Sequence, residues 1–455
     1  MPGGHMPLEI APRAATIALL AAACASPHLA RAGMPGYQIQ AGVVESDNIQ
    51  RLPSGGSDET IGALELGFNW LDTRPWLDAD ITADVSHLHY FQHTYSDEFI
   101  GNLIGNIRFT LAPQLLSWEV SDNFGQAPLN PLAPITPDNR QNINYFNTGP
   151  TLSLPFGQTT QLAVTGEYGR ADYQQSALDS TRLTGAVELL HALSPVSHIS
   201  VTARDEHVQF ADDQLNPDYQ MQEAFARWET KGSRTELGID LGYSRAQISG
   251  THDGTPLVRL DLSRKLSASS TLGLALGHAY SDGIDAFRLV QTLGGATLYT
   301  LPVFVAGPPF VDSFATLAWN FKRARTTLEL SASYLQDRYK TDSTLDNNRA
   351  LLDGTAARQI TPTLRLALTE HLVRWEFNNG FNVTGGNATE SDTGLQMTWH
   401  VGRHFSVMAA YYLSKGNSNV PDFNYTENRL WLAVGYGRAA EAPPGPAPVR
   451  LPVMP

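Results

Sequence analysis

Alternation of apolar and polar residues is the feature that most constrains this chain. It occurs in segments of roughly 10 to 15 residues, the length of a membrane-crossing strand. In 236–243, for example, Leu237, Ile239, Leu241 and Tyr243 alternate with acidic residues and glycines, and the same period of two recurs in 272–277, 328–334 and 430–437. Residues two apart lie on one face of a β-strand, so each segment predicts a strand with one apolar and one polar face.

Short stretches rich in Pro, Gly and Ser separate these strands, as expected of tight reversals. Nine such turns are predicted, at 72–75, 112–113, 155–157, 193–195, 231–233, 266–268, 322–324, 360–362 and 401–403. Each interval between them is long enough for two strands and one longer loop. The chain therefore predicts about 20 antiparallel strands, within a range of roughly 18 to 22. The stretch from Ala286 to Phe310 can be a large loop or can hide one more hairpin.

The bulk composition narrows the function classes. The chain has 455 residues, 42% hydrophobic and 17% charged, with a net charge of -14. The acidic balance argues against nucleic acid as a partner, because phosphates require a basic face. After the first residues, no apolar run approaches the roughly 20 residues that a membrane helix needs.

Both ends of the chain are expected to lie outside the folded domain. Residues 1–32 are predicted to be a secretory signal peptide, with an Ala-rich apolar run and a cleavage site at Ala30-Arg31-Ala32. The only cysteine, Cys24, lies in this run, where lipidation is a weaker alternative, so the mature chain is expected to lack disulfides. Residues 33–438 would form one domain, and 439–455 a Pro-rich periplasmic tail.

Two all-β folds compete for such a pattern: a soluble propeller or sandwich array, and a transmembrane antiparallel up-and-down β-barrel. The barrel is favoured by the signal peptide, by the alternation of short turns with long loops, and by aromatic residues near the strand ends. Those near the turns are Trp70, Trp76, Phe156, Trp319, Phe321, Trp399 and Phe405. Those near the loops are Tyr90, Phe91, Tyr173, Phe210, Tyr280, Tyr339, Tyr411 and Tyr412. The predicted location is the cell outer membrane, with its lipid and lipopolysaccharide as surroundings.

Several stretches resemble an outer-membrane β-barrel porin family of Gram-negative bacteria whose members are associated with exopolysaccharide or sorting systems. The stretches that carry the resemblance are 122–126, Pro131, Pro134, 136–137, Asn139, 144–150, 172–173, 212–213, 217–219 and 425–428. They are most specific between Asp122 and Pro150. The resemblance spans about Tyr37 to Arg438, and it implies a porin-like channel in an exopolysaccharide setting.

Charged residues on the polar strand faces should point into the lumen, because a Lys or Arg facing lipid at mid-depth costs roughly 2 to 4 kcal/mol. The lumen-lining candidates are Glu167, Arg204, Glu206, Glu236, Asp240, Arg259, Asp261, Glu329 and Arg365. Two interpretations remain open. The charges can line a water-filled pore with a transverse field, or they can pair with one another and partly fill the barrel.

The Pro-rich loop from Gln126 to Asn142 is the predicted constriction. Its prolines restrict the backbone, and Asp138, Asn139, Arg140 and Gln141 could line a polar eyelet. The alternative is a rigid external loop that packs on its neighbours.

Catalytic chemistry finds little support in the sequence. No Gly-x-Ser-x-Gly elbow is present. The acidic pair Asp212-Asp213 lies in a loop next to a strand with Arg204, Glu206 and His207, and a solvated or calcium-binding loop is favoured there over a catalytic rim. His87 and His89 lie on one strand face but lack a recognisable third metal ligand. We therefore predict no enzyme activity, no metal and no cofactor.

The predicted function is an outer-membrane channel for polar solutes, with exopolysaccharide export as the setting that the resemblance implies. The alternative is a non-conducting structural or assembly barrel whose tail docks a periplasmic protein. A surface hydrolase is a remote third class.

Overall fold

The computed structural model describes residues 35–293, 302–378 and 385–438. The predicted signal peptide and tail lie outside these residues. The twenty strands are β1 (Gly36–Ser46), β2 (Glu59–Arg74), β3 (Leu77–Tyr90), β4 (Glu98–Ala112), β5 (Leu116–Pro128), β6 (Arg140–Phe156), β7 (Thr160–Tyr173), β8 (Ser180–Ser194), β9 (Ser197–Phe210), β10 (Tyr219–Lys231), β11 (Thr235–Ile248), β12 (Thr251–Ser267), β13 (Ser270–Ser281), β14 (Phe310–Arg323), β15 (Thr326–Tyr339), β16 (Asn347–Gln359), β17 (Leu364–Phe377), β18 (Asn387–Val401), β19 (Phe405–Ser418) and β20 (Tyr425–Arg438).

These strands form one closed sheet. Every strand pairs antiparallel with its neighbours in sequence, and β1 pairs with β20 from Tyr37 opposite Arg438 to Ser46 opposite Arg429. Closure leaves no unpaired sheet edge, which is the condition for strands in lipid. The predicted all-β up-and-down barrel of about 20 strands is confirmed.

The two ends of the barrel differ in their connections. At the end of the barrel where β1 begins and β20 ends, tight turns of two to four residues connect the strands at all nine predicted places. Gly157 and Gly402 lie in such turns with φ of 74° and 73°, a conformation that favours glycine. The opposite end has longer loops, apart from the two-residue β11–β12 turn. In outer-membrane barrels, short turns face the periplasm and long loops face outward.

The outer surface of the barrel is apolar. Leu241, Leu432 and Val434 are 57%, 54% and 56% exposed, whereas Asp240, in the intervening position of β11, is buried. Exposed leucines and valines at alternate positions make a belt that only a lipid bilayer can cover at low cost.

Aromatic residues border this belt, but the loop-end prediction is correct only in part. Near the turns, Trp76, Phe156, Trp399 and Phe405 are at least half exposed. Near the loops, Phe91 and Tyr411 are exposed, whereas Tyr90, Tyr280 and Tyr339 are buried. Those three serve internal packing because their neighbours cover them, which periodicity alone does not reveal.

One helix of eleven residues, α1 (Gly283–Leu293), interrupts the β-structure. It lies between β13 and β14 in the longest connection of the chain, called here the lumen loop, of which 282–293 and 302–309 are described. In the part of the chain that the structure describes, the other helical turns are short 3-10 turns at Pro137–Asn139, Ser343–Leu345 and Pro421–Phe423. In the second interpretation of 286–310, an extra hairpin would lie here; the described residues 286–293 and 302–309 contain no strand, and β13 pairs directly with β14.

An apolar core surrounds α1 inside the barrel. It includes Ile284, Phe287 and Val290 of the helix, Tyr145 of β6 and Leu351 of β16, all buried. Since β6 and β16 are ten strands apart in a closed ring of twenty, they stand on opposite walls. The core therefore crosses the lumen in its loop-side half.

Candidate functional site in the barrel lumen

Asp282 attaches the start of α1 to the barrel wall. Its Oδ1 accepts hydrogen bonds from the backbone N–H groups of Ile284 and Asp285, at 2.8 and 3.0 Å, which caps the helix. Its Oδ2 accepts from Arg182 Nη1 at 2.6 Å and from the Tyr219 hydroxyl at 2.7 Å. One buried carboxylate thus joins α1 to β8 and β10.

The wall around this carboxylate carries a network of buried charges. Arg182 also contacts Glu206 Oε1 at 3.1 Å, and Arg204 contacts the other oxygen of Glu206 at 3.0 Å. The Tyr145 ring makes cation–π contacts with two guanidinium groups, that of Arg182 at 5.8 Å and that of Arg288 from α1 at 5.3 Å. Buried charges are tolerated in such networks because each has opposite charges or hydrogen-bond partners.

Gln291 holds the other end of the helix on a different part of the wall. Its Oε1 accepts from Asn123 Nδ2 at 3.0 Å, and its Nε2 donates to Asn102 Oδ1 at 2.7 Å and to the Phe124 carbonyl at 2.8 Å. Asp282 contacts β8 and β10, whereas Gln291 contacts β4 and β5. α1 therefore runs along the inner wall across several strands, held by side chains at both ends.

The returning part of the lumen loop contacts the opposite wall. The Pro302 carbonyl accepts from Arg349 Nη1 at 3.2 Å, and Arg349 pairs with Asp337 at 2.8 Å, both fully buried. Phe304 meets Phe377 edge to face with ring centroids 5.8 Å apart. The lumen loop thus contacts both sides of the barrel.

Asp285 on α1 is buried close to other negative charges, which disfavours the charged form of its carboxyl group. Burial, together with the negative charges of Asp282 and Glu206, raises the pKa of its carboxyl to about 7, although Arg204 and Arg182 partly oppose the shift. Arg288 lies 4.0 Å away. Near neutral pH this group can therefore be either neutral or charged.

The structure brings several predicted lumen residues together. Arg204 pairs with Glu206, and Arg259 contacts Glu223 at 2.8 Å. Asp240 and Asp261 both contact Arg227, at 2.9 Å and 3.2 Å. Sequence reasoning missed Arg227. Glu167 accepts from Asn147 at 3.1 Å. Glu236, Glu329 and Arg365 are exposed near the turn end and do not join these pairs.

The predicted constriction residues mostly form hydrogen bonds or ion pairs within their own loop or with nearby strands and loops. Asn139 donates to the carbonyls of Asn130, Ala133 and Pro134, Arg140 pairs with Glu98, and Gln141 donates to Ser176 Oγ at 2.7 Å. Asp138 is exposed. The loop still reaches inward, since Leu132 joins the central core and the Ile135 N–H donates to Glu390 of β18 at 3.3 Å.

Sequence reasoning missed α1. The signal was an Asp at the cap position, Asp282, followed by apolar residues at helical spacing, Ile284, Phe287 and Val290. Glycines and prolines further along, at 294–295 and 307–309, favoured a loop interpretation instead.

Two acidic residues on the inner wall have no basic partner in the part of the chain that the structure describes. Glu65 of β2 and Asp84 of β3 lie on one face, since their register partners are Ser86 and Gly67 on adjacent strands. The nearest inner pair on β4 and β5, Arg108 with Glu119, is neutral overall, with its charged atoms 2.9 Å apart. This part of the wall therefore carries two carboxyl groups without a basic partner among the described residues.

Within the described ranges, no helix is long and apolar enough to span a membrane, and no group of three or more His, Cys, Asp or Glu side chains is arranged to hold a metal ion. His89 instead contacts Asp97 at 2.8 Å, and the His87 ring packs against Phe99.

A comparison with protein-family models finds no match, and a comparison with curated proteins finds none either. Similar solved structures include a mutant ferric enterobactin receptor PfeA of Pseudomonas aeruginosa, with 11% identity, TM-score 0.45, and coverage of 89% of this chain and 80% of that chain. The siderophore receptor PirA of Acinetobacter baumannii has 7% identity, TM-score 0.42, and coverage of 89% and 80%. The ferric citrate transporter FecA has 10% identity, TM-score 0.40, and coverage of 88% and 78%. At these values the likenesses carry no argument about ligand or mechanism.

The closed sheet, the apolar belt and the charged interior define the class. The protein is an outer-membrane β-barrel. The resemblance to exopolysaccharide-associated porins and the absence of enzyme activity stay predictions.

Proposed function

We propose that the protein is a gated outer-membrane channel for polar solutes, closed in this structure by α1. The observation that supports it most is the way α1 is attached inside the lumen. α1 is not paired into the sheet; it is attached by Asp282 and Gln291 to a polar wall. Because side chains, and not sheet pairing, attach this helix to the wall and the core, it can leave without disturbing the barrel's backbone hydrogen bonds.

The wall behind the helix supports passage of polar solutes. It carries charges of both signs, and when α1 leaves, water can solvate Arg182, Arg204 and Glu206 at little cost. Glu65 and Asp84 add negative charge, so cationic or neutral polar solutes are favoured over anions. Twenty strands leave a lumen wide enough for such solutes.

Single-channel recording in a planar bilayer tests the proposal. The mature wild-type protein should be closed most of the time, and a variant combining Asp282→Ala with Gln291→Ala should give frequent, discrete ohmic steps. Glu119→Gln, which alters an exposed wall pair remote from α1, is the matched control and should leave opening frequency unchanged.

A double variant that folds, judged by heat-modifiable migration, but passes no current would contradict the channel. It would favour the non-conducting barrel with a docking tail, and truncation after Arg438 would then test that role. Exopolysaccharide as the transported solute rests on the resemblance and awaits a transport assay.

A further inference from the structure

The turn end of the barrel carries a concentration of positive charge, although the whole chain has a net charge of -14. Between β12 and β16, exposed basic residues lie in or beside the turns. They are Arg264, Lys265, Lys322, Arg323, Arg325 and Arg358. Among the described residues, none of them has an acidic side chain within salt-bridge distance. An uncompensated basic rim is an electrostatic feature that attracts anions.

Two of these arginines lie on the outer surface in one row. Register pairs Arg323 of β14 with Thr326 of β15, and Thr326 with Arg358 of β16. Paired residues in an antiparallel sheet share a face, and this face is the apolar exterior, because Leu330 further along β15 is 47% exposed. Adjacent strands are about 4.8 Å apart, so the two arginines flank Thr326 with their Cα atoms roughly 10 Å apart.

An apolar groove begins directly above this row. It has a volume of about 140 Å³ and is lined by Thr326, Leu328, Ala356, Leu366, Leu368 and Leu395, with Arg358 at its lower end. The next row pairs Leu328 with Ala356 and Ala356 with Leu368, so a small residue forms the floor between two leucines. The groove thus runs from the basic row into the lipid-facing belt.

We propose that this surface, called here the lipid seat, binds an anionic phospholipid of the periplasmic leaflet. One acyl chain would occupy the groove, and the phosphate would lie between Arg323 and Arg358 beside the Thr326 hydroxyl. The orientation of the barrel places the turn end at that leaflet. Arginine suits phosphate because its planar group donates two parallel hydrogen bonds.

Native mass spectrometry of the full mature chain in non-ionic detergent, titrated with phosphatidylglycerol and separately with phosphatidylcholine, tests the lipid seat. A basic residue near an anionic lipid surface changes binding by about fivefold. We therefore expect Arg323→Gln with Arg358→Gln to weaken phosphatidylglycerol binding by about 20-fold or more. Phosphatidylcholine should bind the wild-type protein more weakly and respond less.

Ala356→Phe, which fills the groove but keeps both arginines, should also weaken phosphatidylglycerol binding. Arg374→Gln is the matched control, since Arg374 is exposed on β17 but pairs with Glu376 near the loop end. Both substitutions alter surface positions, and heat-modifiable migration verifies folding.

Unchanged phosphatidylglycerol binding in the double arginine variant would overturn the proposal and leave the basic rim to an acidic macromolecule. Complete displacement of the lipid by inorganic phosphate would assign the arginines to free phosphate and overturn it as well. An equal effect of Arg374→Gln and of the double arginine variant would reduce the lipid seat to non-specific surface charge and overturn the proposal.

Discussion

Arg182 Nη1 lies 2.6 Å from Asp282 Oδ2, and both side chains are almost fully buried. The pair joins the wall strand β8 to the residue that caps α1. The Asp282 carboxylate makes two interactions that different residues usually make: it caps a helix, and it pairs with a buried opposite charge. The position of α1 in the lumen therefore depends on the charge state and partners of Asp282.

Removing Arg182 should release α1. Breaking a buried ion pair leaves an uncompensated charge and costs about 3 kcal/mol or more, which shifts the closed-to-open equilibrium on the order of 100-fold. We expect Arg182→Gln to raise the open fraction in single-channel recordings accordingly. Arg108→Gln is the control, since its pair with Glu119 is exposed and worth about 1 kcal/mol or less. Equal behaviour of the two variants would remove Arg182 from the closing mechanism.

The channel should open more readily as pH rises. Asp285 has an ordinary pKa of 3.8 when solvated and a pKa of about 7 in the closed lumen. Between these values the closed form holds more protons, so its stability decreases as pH increases through the window. We expect the open fraction to increase from pH 5 to pH 8, and Asp285→Asn to flatten that profile. A wild-type profile that falls with pH would contradict the role of this carboxyl.

The apolar face of α1 should contribute as much as its polar ends. Phe287 is fully buried in the core that crosses the lumen. Phe→Ala at such a site costs about 3 to 5 kcal/mol. We expect Phe287→Ala to keep the barrel folded in heat-modifiability assays but to increase current strongly. Phe405→Ala, on the exposed belt at 54% exposure, should leave the current unchanged.

Ion selectivity should follow the negative wall of β2 and β3. Reversal potentials under a salt gradient should show cation preference in a variant whose lumen is open. Adding Glu65→Gln and Asp84→Asn to that variant should move the reversal potential toward zero, because the acidic groups raise the local cation concentration. Asp172→Asn, a change to an exposed carboxylate paired with Arg170, should not move it. A potential unaffected by the two wall substitutions would place the selectivity elsewhere.

Most of the barrel was predictable because its determinants are local. Alternation in segments such as 236–243 fixes which face meets lipid, and the Gly and Pro signals at 155–157 or 401–403 fix the turns. Each strand pairs with its sequence neighbour, so turns and strands together give the strand order and the number 20 without knowledge of distant contacts.

The site was less predictable because it depends on residues far apart in sequence. Alternation shows that Arg204, Glu206 and Asp240 share the polar face, but not that Arg182 meets Asp282 or that Arg227 joins Asp240 and Asp261. The buried positions of Tyr90, Tyr280 and Tyr339 were missed for the same reason.

By itself, the sequence determined a closed antiparallel barrel with an apolar exterior and a charged interior, because the pattern of two and the turn signals act over a few residues. Only the tertiary structure decided that α1 and an apolar core cross the lumen. This arrangement requires α1 to pack between β6 and β16 and Gln291 to contact Asn123, which lies 168 residues away in the sequence. Those contacts depend on which strands face each other across the barrel. The facing strands are determined only when β1 pairs with β20 and closes the ring.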